Sequence, residues 1–348
     1  MFEVGTGSLL SNESLKAGKI PRISAKSENN GILGYFSSEN LANARYFENF
    51  ITVNFFGADG GIFYHPYKAS VEMKVHTLKM PNKEFNTKTG NFIASALKLS
   101  LRGFGYGNQL SSSKLKDSNF RIQLPIKNGE IDLEFMESFF EEFEADRMLM
   151  LNEYLVSTGL NNYALTTDEQ QLLASFENGK VEWGEFNYNS IFNKIVQGRR
   201  LKKVDQTAGD IPFIMAGTTN MGVVNYISNP VASFPKNSIT VDIFGNTFYR
   251  NYDYGAGDDT GVYWHSEKTY AKTSMLFLAT AISKSISGKF DYGTKLRSSQ
   301  SLDFKMSLPM RNNQPDYEFM EMLISAVQKT VIKGVVEYVT GKHKIYKK

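Results

Sequence analysis

The chain of 348 residues carries 39 Lys and Arg against 36 Asp and Glu, a formal net charge of +3 and no Cys. A chain of this length has room for two domains of ordinary size, so a duplication is the first feature to look for. The lack of Cys excludes a disulfide framework, a thiolate metal site and a Cys nucleophile. The nearly balanced charge excludes inferring a nucleic-acid partner from net charge alone.

The sequence contains no recognisable segment for export or membrane insertion. No run approaches the roughly 20 apolar residues that a membrane-spanning helix requires. The first residues, MFEVGTGSLLSNESLKAGK, lack the basic stretch and long apolar core of a signal peptide. We therefore expect a soluble, cytoplasmic protein with no membrane partner.

An internal duplication runs through the chain. Residues 17–35 (AGKIPRISAKSENNGILGY) match residues 208–226 (AGDIPFIMAGTTNMGVVNY), and ITVNFFG in the first half matches ITVDIFG in the second. Residues 102–125 match residues 287–309, and each of these segments precedes a helical stretch that contains Phe-Met-Glu. The repeat is therefore one domain followed by one helix, used twice.

Each repeat is predicted to contain short strands and one helix. The strand-like segments are ITVNFF (51–56), SVEMKV (70–75), ITVDIF (239–244) and FKMSLP (304–309). Helical spacing at 91–99 and 274–286 predicts one helix packed on each sheet. Between the repeats, Thr167 with Gln170 resembles a capping box that opens a short helix over 168–176.

A long helix follows each repeat. The first is predicted from Asp132 to about Ser157 and the second from Pro315 to about Thr340, each with one apolar stripe of coiled-coil type. The stripes are Met136, Phe140, Phe143, Met150 and Tyr154 in the first helix, and Met320, Ile324, Val327, Val331, Val335 and Tyr338 in the second. The first helix opens with many acidic residues and the second ends in lysines, which favours an antiparallel pair.

The order of these motifs resembles a known family. Each repeat has G-x-I-P, then Asn and Gly, then aromatic-x-Tyr-Gly before a strand ending in Leu-Pro, and finally the long helix. Over essentially the whole chain this arrangement resembles the specificity subunits of Type I restriction-modification systems. It is also similar to the separate specificity subunits of Type IIB enzymes.

The resemblance implies a non-catalytic subunit that binds double-stranded DNA. In that family each of two target-recognition domains reads a few base pairs, and helices set the unread spacer between the half-sites. Two adenine methyltransferase subunits, which bind S-adenosylmethionine, join the specificity subunit, and nuclease and translocase subunits join it in Type I complexes. The implied fold class is α+β. It has two similar mixed α/β target-recognition domains, related by pseudo-two-fold symmetry and joined by an antiparallel pair of long coiled-coil helices.

The repeats and helices define a domain plan. The predicted parts are 1–131 (first target-recognition domain), 132–158 (first long helix), 159–182 (linker with a short helix), 183–313 (second target-recognition domain) and 314–348 (second long helix and basic tail). A helix of about 25 residues is roughly 38 Å long, close to the ~34–36 Å of one turn of B-DNA. We therefore expect a bipartite DNA site, and an asymmetric one because the two repeats differ.

The two repeats differ in how they begin. Trp183–Phe186 and Ile191–Phe192 introduce the second repeat, whereas nothing corresponding precedes the first repeat at Met1. A truncated chain is one explanation. The other is a permuted arrangement in which Thr340–Lys348 lies near the start of the first repeat.

Polar residues that can read base edges or hold phosphates concentrate in matching loops of the two repeats. The candidate DNA contacts are Lys26, Ser27, Asn29, Asn30, Tyr106, Asn108, Gln109 and Lys114 in the first repeat, and Thr218, Thr219, Asn220, Tyr292, Lys295, Arg297 and Ser298 in the second. For Tyr106 and Tyr292, packing in the core is the favoured alternative. The basic run Arg199, Arg200, Lys202 and Lys203 fits phosphate binding and a solvated surface equally well.

Two other function classes compete with this interpretation. Asp59, Glu72 and Lys74 resemble the carboxylate and lysine set of a metal-dependent nuclease, but Glu72 and Lys74 fit the wet face of a strand. A protein-interaction scaffold that binds no DNA would not need matched polar loops. No P-loop, no adenine-methylase motif and no metal-ligand spacing of the four His is present, so ATP and S-adenosylmethionine are expected to be handled by partners.

Overall fold

A computed structural model describes residues 2–37, 41, 43–57, 60–81, 83–117, 119–231 and 233–346. The chain divides into two compact units: the first unit is Met1–Leu151 with Lys342–Lys348, and the second unit is Asn152–Gly341. No helix in the described part of the chain is long and apolar enough to cross a membrane.

The first unit contains two four-stranded sheets. Its elements are β1 (Glu3–Thr6), β2 (Lys16–Ile23), β3 (Ile32–Ser37), β4 (Tyr46–Phe47), β5 (Phe50–Asn54), β6 (Ile62–His65), β7 (Ala69–Val71), β8 (Val75–Lys79), α1 (Thr87–Ser100), α2 (Ser112–Lys116), β9 (Ile126–Lys127), β10 (Glu130–Ile131) and α3 (Leu133–Ser157), of which α3 continues into the second unit. The sheet orders are β1-β8-β5-β6 and β3-β2-β7-β4.

The second unit repeats these two sheets and adds one strand to the hairpin that precedes its long helix. Its elements are α4 (Thr167–Glu177), β11 (Trp183–Asn187), α5 (Tyr188–Ile191), β12 (Lys194–Gln197), β13 (Ala208–Ile214), β14 (Val223–Ile227), β15 (Ser233–Phe234), β16 (Ser238–Asp242), β17 (Thr247–Arg250), β18 (Tyr254–Ala256), β19 (Thr260–Trp264), α6 (Lys272–Ile286), β20 (Lys305–Arg311), β21 (Gln314–Pro315) and α7 (Tyr317–Tyr346). The orders β12-β19-β16-β17 and β14-β13-β18-β15 match those of the first unit. The hairpin β20-β21 matches β9-β10, and β11, which pairs with β20, is the added strand.

The duplicated G-x-I-P motif forms the same bulge in both units. The pairing register of β2 with β3 shifts between Ala17 and Ile20, and that of β13 with β14 shifts between Ala208 and Ile211. A Cβ added to Gly18 would lie 2.2 Å from the backbone nitrogen of Ser37. Only glycine fits where the two backbones come this close, which explains why the motif begins with it.

One helix packs on each sheet, as the apolar spacing predicts. Asn86 caps α1 by accepting hydrogen bonds from Lys88 N and Thr89 N, so the helix begins four residues before the predicted segment at 91–99. The inner face of α1 is buried in the core of the first unit through Ile93, Ala94 and Leu97. The equivalent face of α6 is buried in the second unit through Met275, Leu278, Ala279, Ile282 and Ile286.

Three local predictions were wrong. The segment 70–75 is not one strand, because β7 ends at Val71 in one sheet and β8 begins at Val75 in the other, with a turn between them. Glu72 and Lys74 therefore do not lie on the wet face of a strand. The linker helix begins one residue earlier than expected, since its capping box is Thr166 with Glu169. In the first unit, the segment ending in Leu124-Pro125 forms no strand.

The apolar stripe predicted along α7 was also wrong. Met320 is buried, but Val327, Val331, Val335 and Tyr338 are exposed. The buried positions of this helix are instead Met320, Leu323, Ala326, Val336 and Val339. Because apolar residues lie on more than one face of α7, periodicity alone did not identify the face that packs. Along α3, Met136 is buried whereas Phe143, Met150 and Tyr154 are exposed.

Candidate nucleic-acid interface

The first polar loop of each unit is a turn with left-handed backbone. Asn29 and Asn30 have φ of 48° and 50°, and Asn220 and Met221 at the matching positions have φ of 48° and 52°. Asn tolerates this conformation better than most residues, so the turn itself gives the asparagines a structural role. The side chains predicted to contact DNA in these turns are all exposed: Lys26, Ser27, Asn29, Asn30, Thr218, Thr219 and Asn220. The turns therefore present polar groups to solvent on a constrained backbone.

A buried arginine is hydrogen-bonded to the turn of the second unit. In the second unit Arg250, which is fully buried, donates from Nη2 to Met221 O (2.6 Å), from Nη1 to Tyr252 Oη (3.1 Å) and from Nε to Thr240 Oγ1 (3.0 Å). The Met221 carbonyl belongs to the turn. Arg250 therefore ties the turn directly to the sheet.

His65 occupies the matching place at the end of β6 in the first unit. Its Nε2 lies 2.9 Å from Thr52 Oγ1 and its Nδ1 lies 3.2 Å from Tyr67 Oη. Burial lowers the pKa of His65 to about 4, so the ring is neutral at pH 7. The first unit thus has a neutral group where the second has a buried cation.

The two tyrosines of the aromatic-x-Tyr-Gly motif lie on the surface, so the favoured expectation of core packing was wrong. Tyr106 is 86% exposed and Tyr292 is 83% exposed. The ring of Tyr106 stacks on Phe56 at 5.9 Å, and Lys295 Nζ lies 4.8 Å from the centre of the Tyr292 ring. Both rings are therefore accessible for a contact with a base or a phosphate.

The second polar loop of the first unit is held together by a lysine. Lys114 Nζ donates to Asn108 Oδ1 (3.1 Å) and to Gln109 O (3.0 Å), and it lies 5.2 Å from the centre of the Phe104 ring. The structure thus brings together Asn108, Gln109 and Lys114, all of them exposed.

The corresponding loop of the second unit leads into an open, basic groove. A cavity of about 610 Å³ is lined by the predicted residues Lys295 and Arg297 together with the basic run at Arg200, Lys202 and Lys203. Arg297 Nη1 donates to Asp258 O (2.7 Å), which orients its guanidinium at the wall. The basic run and the predicted loop therefore share one surface, which we call the basic groove.

Sequence reasoning missed two residues of the basic groove and misplaced one. Gln206 and Asn225 also line it, and Asn225 Nδ2 donates to Gln206 Oε1 at 2.9 Å. The comparison of the repeats did not identify Gln206 and Asn225, because the first repeat has the non-polar residues Leu15 and Gly34 at the matching positions. Ser298, by contrast, is only 5% exposed, so it lies beneath the surface that Lys295 and Arg297 form.

The first unit has no equivalent of the basic run. The loop that joins β1 to β2 reads GSLLSNESL, where the second unit has GRRLKKVDQ between β12 and β13. Leu9, at the position of Arg200, is 74% exposed. The two units therefore offer different charge at the same place in the fold.

Comparison with known proteins decides the family. The model for the "Type I restriction modification DNA specificity domain" matches residues 1–152 and 180–337. The chain belongs to this family. It is 27% identical over 267 residues to the "Type II restriction enzyme BgcI specificity subunit S.BcgI" of Heyndrickxia coagulans, a match that covers 74% of this chain and 72% of that protein.

A solved structure shows the same fold. The Type I restriction-modification system S subunit from M. genitalium superposes with a TM-score of 0.57 at 14% identity, over 99% of this chain and 90% of that one. The family prediction and the α+β class with two similar units are confirmed. As a family member, this chain is a DNA-specificity subunit rather than a catalytic one.

Family membership disfavours the two competing interpretations. Of the nuclease-like set, Asp59 lies outside the described residues, and Glu72 and Lys74 lie in or beside a turn. No group of three or more His, Asp or Glu side chains able to hold a metal is found in the part of the chain that is described. A scaffold without DNA-recognition function does not fit a family of DNA specificity domains.

Proposed function

We propose that this chain reads a bipartite, asymmetric site in double-stranded DNA, with one half-site for each unit. The observation that carries the proposal is the pair of exposed polar loops, which stand at matching places on one duplicated fold but carry different side chains. A duplicated scaffold gives two similarly built readers, and different loops give them different targets.

The basic groove is proposed to hold phosphates. Lys and Arg dominate phosphate binding, and the second unit brings Arg200, Lys202, Lys203, Lys295 and Arg297 to one cavity. The amide and hydroxyl side chains of the two turns, among them Asn30 and Thr219, are the proposed readers of base edges. Gln206 and Asn225 at the wall of the groove are additional candidates.

The long helices are proposed to set the spacer. At 1.5 Å per residue, the 25 residues of α3 correspond to about 38 Å and the 30 residues of α7 to about 45 Å. The length of α3 is close to the ~34–36 Å of one turn of B-DNA, and α7 is about a quarter longer than one turn. The antiparallel pairing favoured by their charges remains part of this proposal.

The chain is further proposed to act with two adenine methyltransferase subunits that bind S-adenosylmethionine, and with nuclease and translocase subunits where the system has them. The related protein from Heyndrickxia coagulans is named as the specificity subunit of a restriction enzyme, which supports such a complex. In this division of labour the chain selects the DNA site and the partners perform the chemistry.

Selection from a randomised duplex pool tests the proposal. The chain is co-expressed with an adenine methyltransferase subunit from the same genome, and bound or adenine-methylated DNA is sequenced. A split motif with two fixed halves about one helical turn apart supports the proposal. If nothing is enriched by a complex that is shown to be assembled and to bind S-adenosylmethionine, sequence reading by this chain is wrong.

A further inference from the structure

Met221 has a backbone conformation that is otherwise adopted by asparagine and glycine in the described part of the chain. Nine described residues other than glycine have a positive φ, and eight of them are Asn. The ninth is Met221, with φ of 52° and ψ of 32°. Asn30, at the matching position of the first unit, has φ of 50°. Because asparagine tolerates this left-handed conformation better than methionine does, the second unit has a residue here that costs stability.

Packing does not compensate for this cost. Met221 is 49% exposed and belongs to neither hydrophobic core of the second unit. A single exposed apolar side chain is ordinary on a protein surface. An exposed apolar side chain on strained backbone is not, since such strain persists where it serves binding or catalysis. We therefore expect the Met221 side chain to contact a group outside this chain.

Two buried charged side chains fix the turn that contains Met221. Arg250 Nη2 donates to Met221 O (2.6 Å), and Asp242 Oδ2 accepts from Gly217 N (3.0 Å). Arg250 is fully buried and Asp242 is only 4% exposed. The backbone that presents the methionine is therefore held at both ends of the turn. A contact made from such a backbone needs little further ordering when a ligand binds.

The turn begins and ends beside the basic groove. Met215 lines that groove, and its backbone nitrogen donates to Gly222 O (2.9 Å), which closes the turn. Val224 and Asn225, which follow the turn, line the same groove. Met221 is thus an apolar group next to the polar and basic side chains that are proposed to contact DNA.

We propose that Met221 contacts the 5-methyl group of a thymine in the half-site that the second unit reads. This inference rests on the proposed function, which supplies the DNA. The thymine methyl is the apolar group that a base pair presents in the major groove. Methionine suits this contact because its side chain is flexible and apolar. The half-site of the second unit therefore contains an A·T pair, whose thymine is recognised by its methyl group.

Uracil substitution tests this contact directly. In the selected duplex each thymine is replaced in turn by uracil, which pairs with adenine in the same way and lacks only the methyl group. Binding is measured with the full chain in its complex with the methyltransferase subunit. Uracil at one position is expected to weaken binding about three- to tenfold, because one apolar contact is lost.

The variant Met221→Ala identifies the side chain that makes the contact. It is expected to bind the thymine duplex about three- to tenfold more weakly and to lose the effect of uracil at that position. Alanine is chosen because it does not relieve the backbone strain as asparagine would, so the change tests the side chain alone. The matched control is Met73→Ala, since Met73 is 45% exposed in the first unit. This control should leave the uracil effect at that position unchanged.

Three results would refute the proposal. The first is a selected site without any A·T pair or without a position that is sensitive to uracil. The second is a uracil effect that persists in full in Met221→Ala, which would show that any loss of affinity comes from a contact other than the thymine methyl. The third is an equal loss of the uracil effect in Met221→Ala and Met73→Ala.

A stability measurement separates the proposed contact from a packing role. Met221→Asn restores the residue type of the first unit, so we expect the urea midpoint of the second unit to rise while the uracil effect is lost. A lower midpoint would show that the methionine stabilises the turn and would overturn the argument from strain.

The outcome for the proposed function is distinct. If selection enriches no split motif, the proposed function fails and this inference fails with it. A split motif whose uracil-sensitive positions are unaffected by Met221→Ala rejects only this inference.

Discussion

The two units share a scaffold but differ at two surfaces. The second unit has a basic groove made by Arg200, Lys202 and Lys203, whereas the first has the loop GSLLSNESL at the same place, in which Glu13 is the only charged residue. In the second unit α4 and β11 also pack against α7 and α6, and Leu323 is buried there, whereas Phe139 at the matching position of the first unit is half-exposed. Duplication preserved the sheets, the G-x-I-P bulge and the packed helices. The two copies have diverged where the fold tolerates change, in loops and at a sheet edge.

The largest expected effect concerns Arg250, the buried side chain that is hydrogen-bonded to the turn of the second unit. Arg250→Ala removes four hydrogen bonds, leaves the Met221 carbonyl and the Thr240 hydroxyl without their donor, and creates a cavity. We expect the second unit to lose about 3–5 kcal/mol of stability. Urea unfolding followed by Trp fluorescence measures this directly, since both tryptophans, Trp183 and Trp264, lie in the second unit. A loss below about 1 kcal/mol would show that Arg250 does not hold the turn.

The basic groove should dominate the salt dependence of DNA binding. Replacing Arg200, Lys202 and Lys203 by Ala is expected to lower affinity for any DNA sequence by about 10- to 1000-fold. The slope of log K against log salt should fall by about 3, one unit for each phosphate contact. The matched control replaces three exposed lysines of the same unit outside the groove: Lys180, Lys268 and Lys272. Equal losses of DNA affinity in both triple variants would show that the basic groove contributes no more to binding than other exposed lysines.

The stability of the two units is expected to respond differently to acid. The pKa of His65 is lowered to about 4 by burial, so the unfolded chain binds a proton between about pH 6.5 and 4 that the folded first unit does not. Stability of the first unit is therefore full above pH 6.5 and falls by about 3 kcal/mol as the pH drops to 4. His76 acts in the same direction, because burial also lowers its pKa.

The second unit has a different acid sensitivity. Desolvation alone would raise the pKa of Glu169, but hydrogen bonds from Lys329, Thr166 and Ser325 outweigh it and lower the pKa to about 2. The stability that ionised Glu169 contributes to the second unit is therefore present above about pH 4.5 and is lost as the pH falls toward 2. Amide exchange of β5 and β16 compared at pH 7 and pH 5 checks the contrast. Equal loss of protection in both strands would contradict it.

The smallest expected change concerns the exposed tyrosines. Tyr106→Ala and Tyr292→Ala should each alter stability by less than about 0.5 kcal/mol, because both rings are more than four-fifths exposed. Their proposed role is in DNA contact, so each variant is expected to weaken binding to the selected site while its unfolding midpoint stays unchanged. A clear drop in stability without a change in DNA affinity would show that the two tyrosines contribute to packing and not to DNA contact.

The sequence located the segments that contain most of the candidate site. It did not show which side chains of those segments are exposed. Matching polar loops were identifiable because the repeat aligns them. Their accessibility was not, since Ser298 and Arg297 are neighbours in the chain but only Arg297 reaches the surface. The exposure of Tyr106 was equally invisible, because an aromatic residue beside glycines is compatible with core and surface alike.

The sequence by itself determined the duplication, the family and the helices that pack on the two sheets, because these depend on residue types at regular spacing. Only the tertiary structure decided that Arg200 and Lys295, distant in the chain, line one groove, and that Phe139 is exposed where Leu323 is covered. These contacts depend on which elements pack together in the folded chain, and local sequence patterns do not show that.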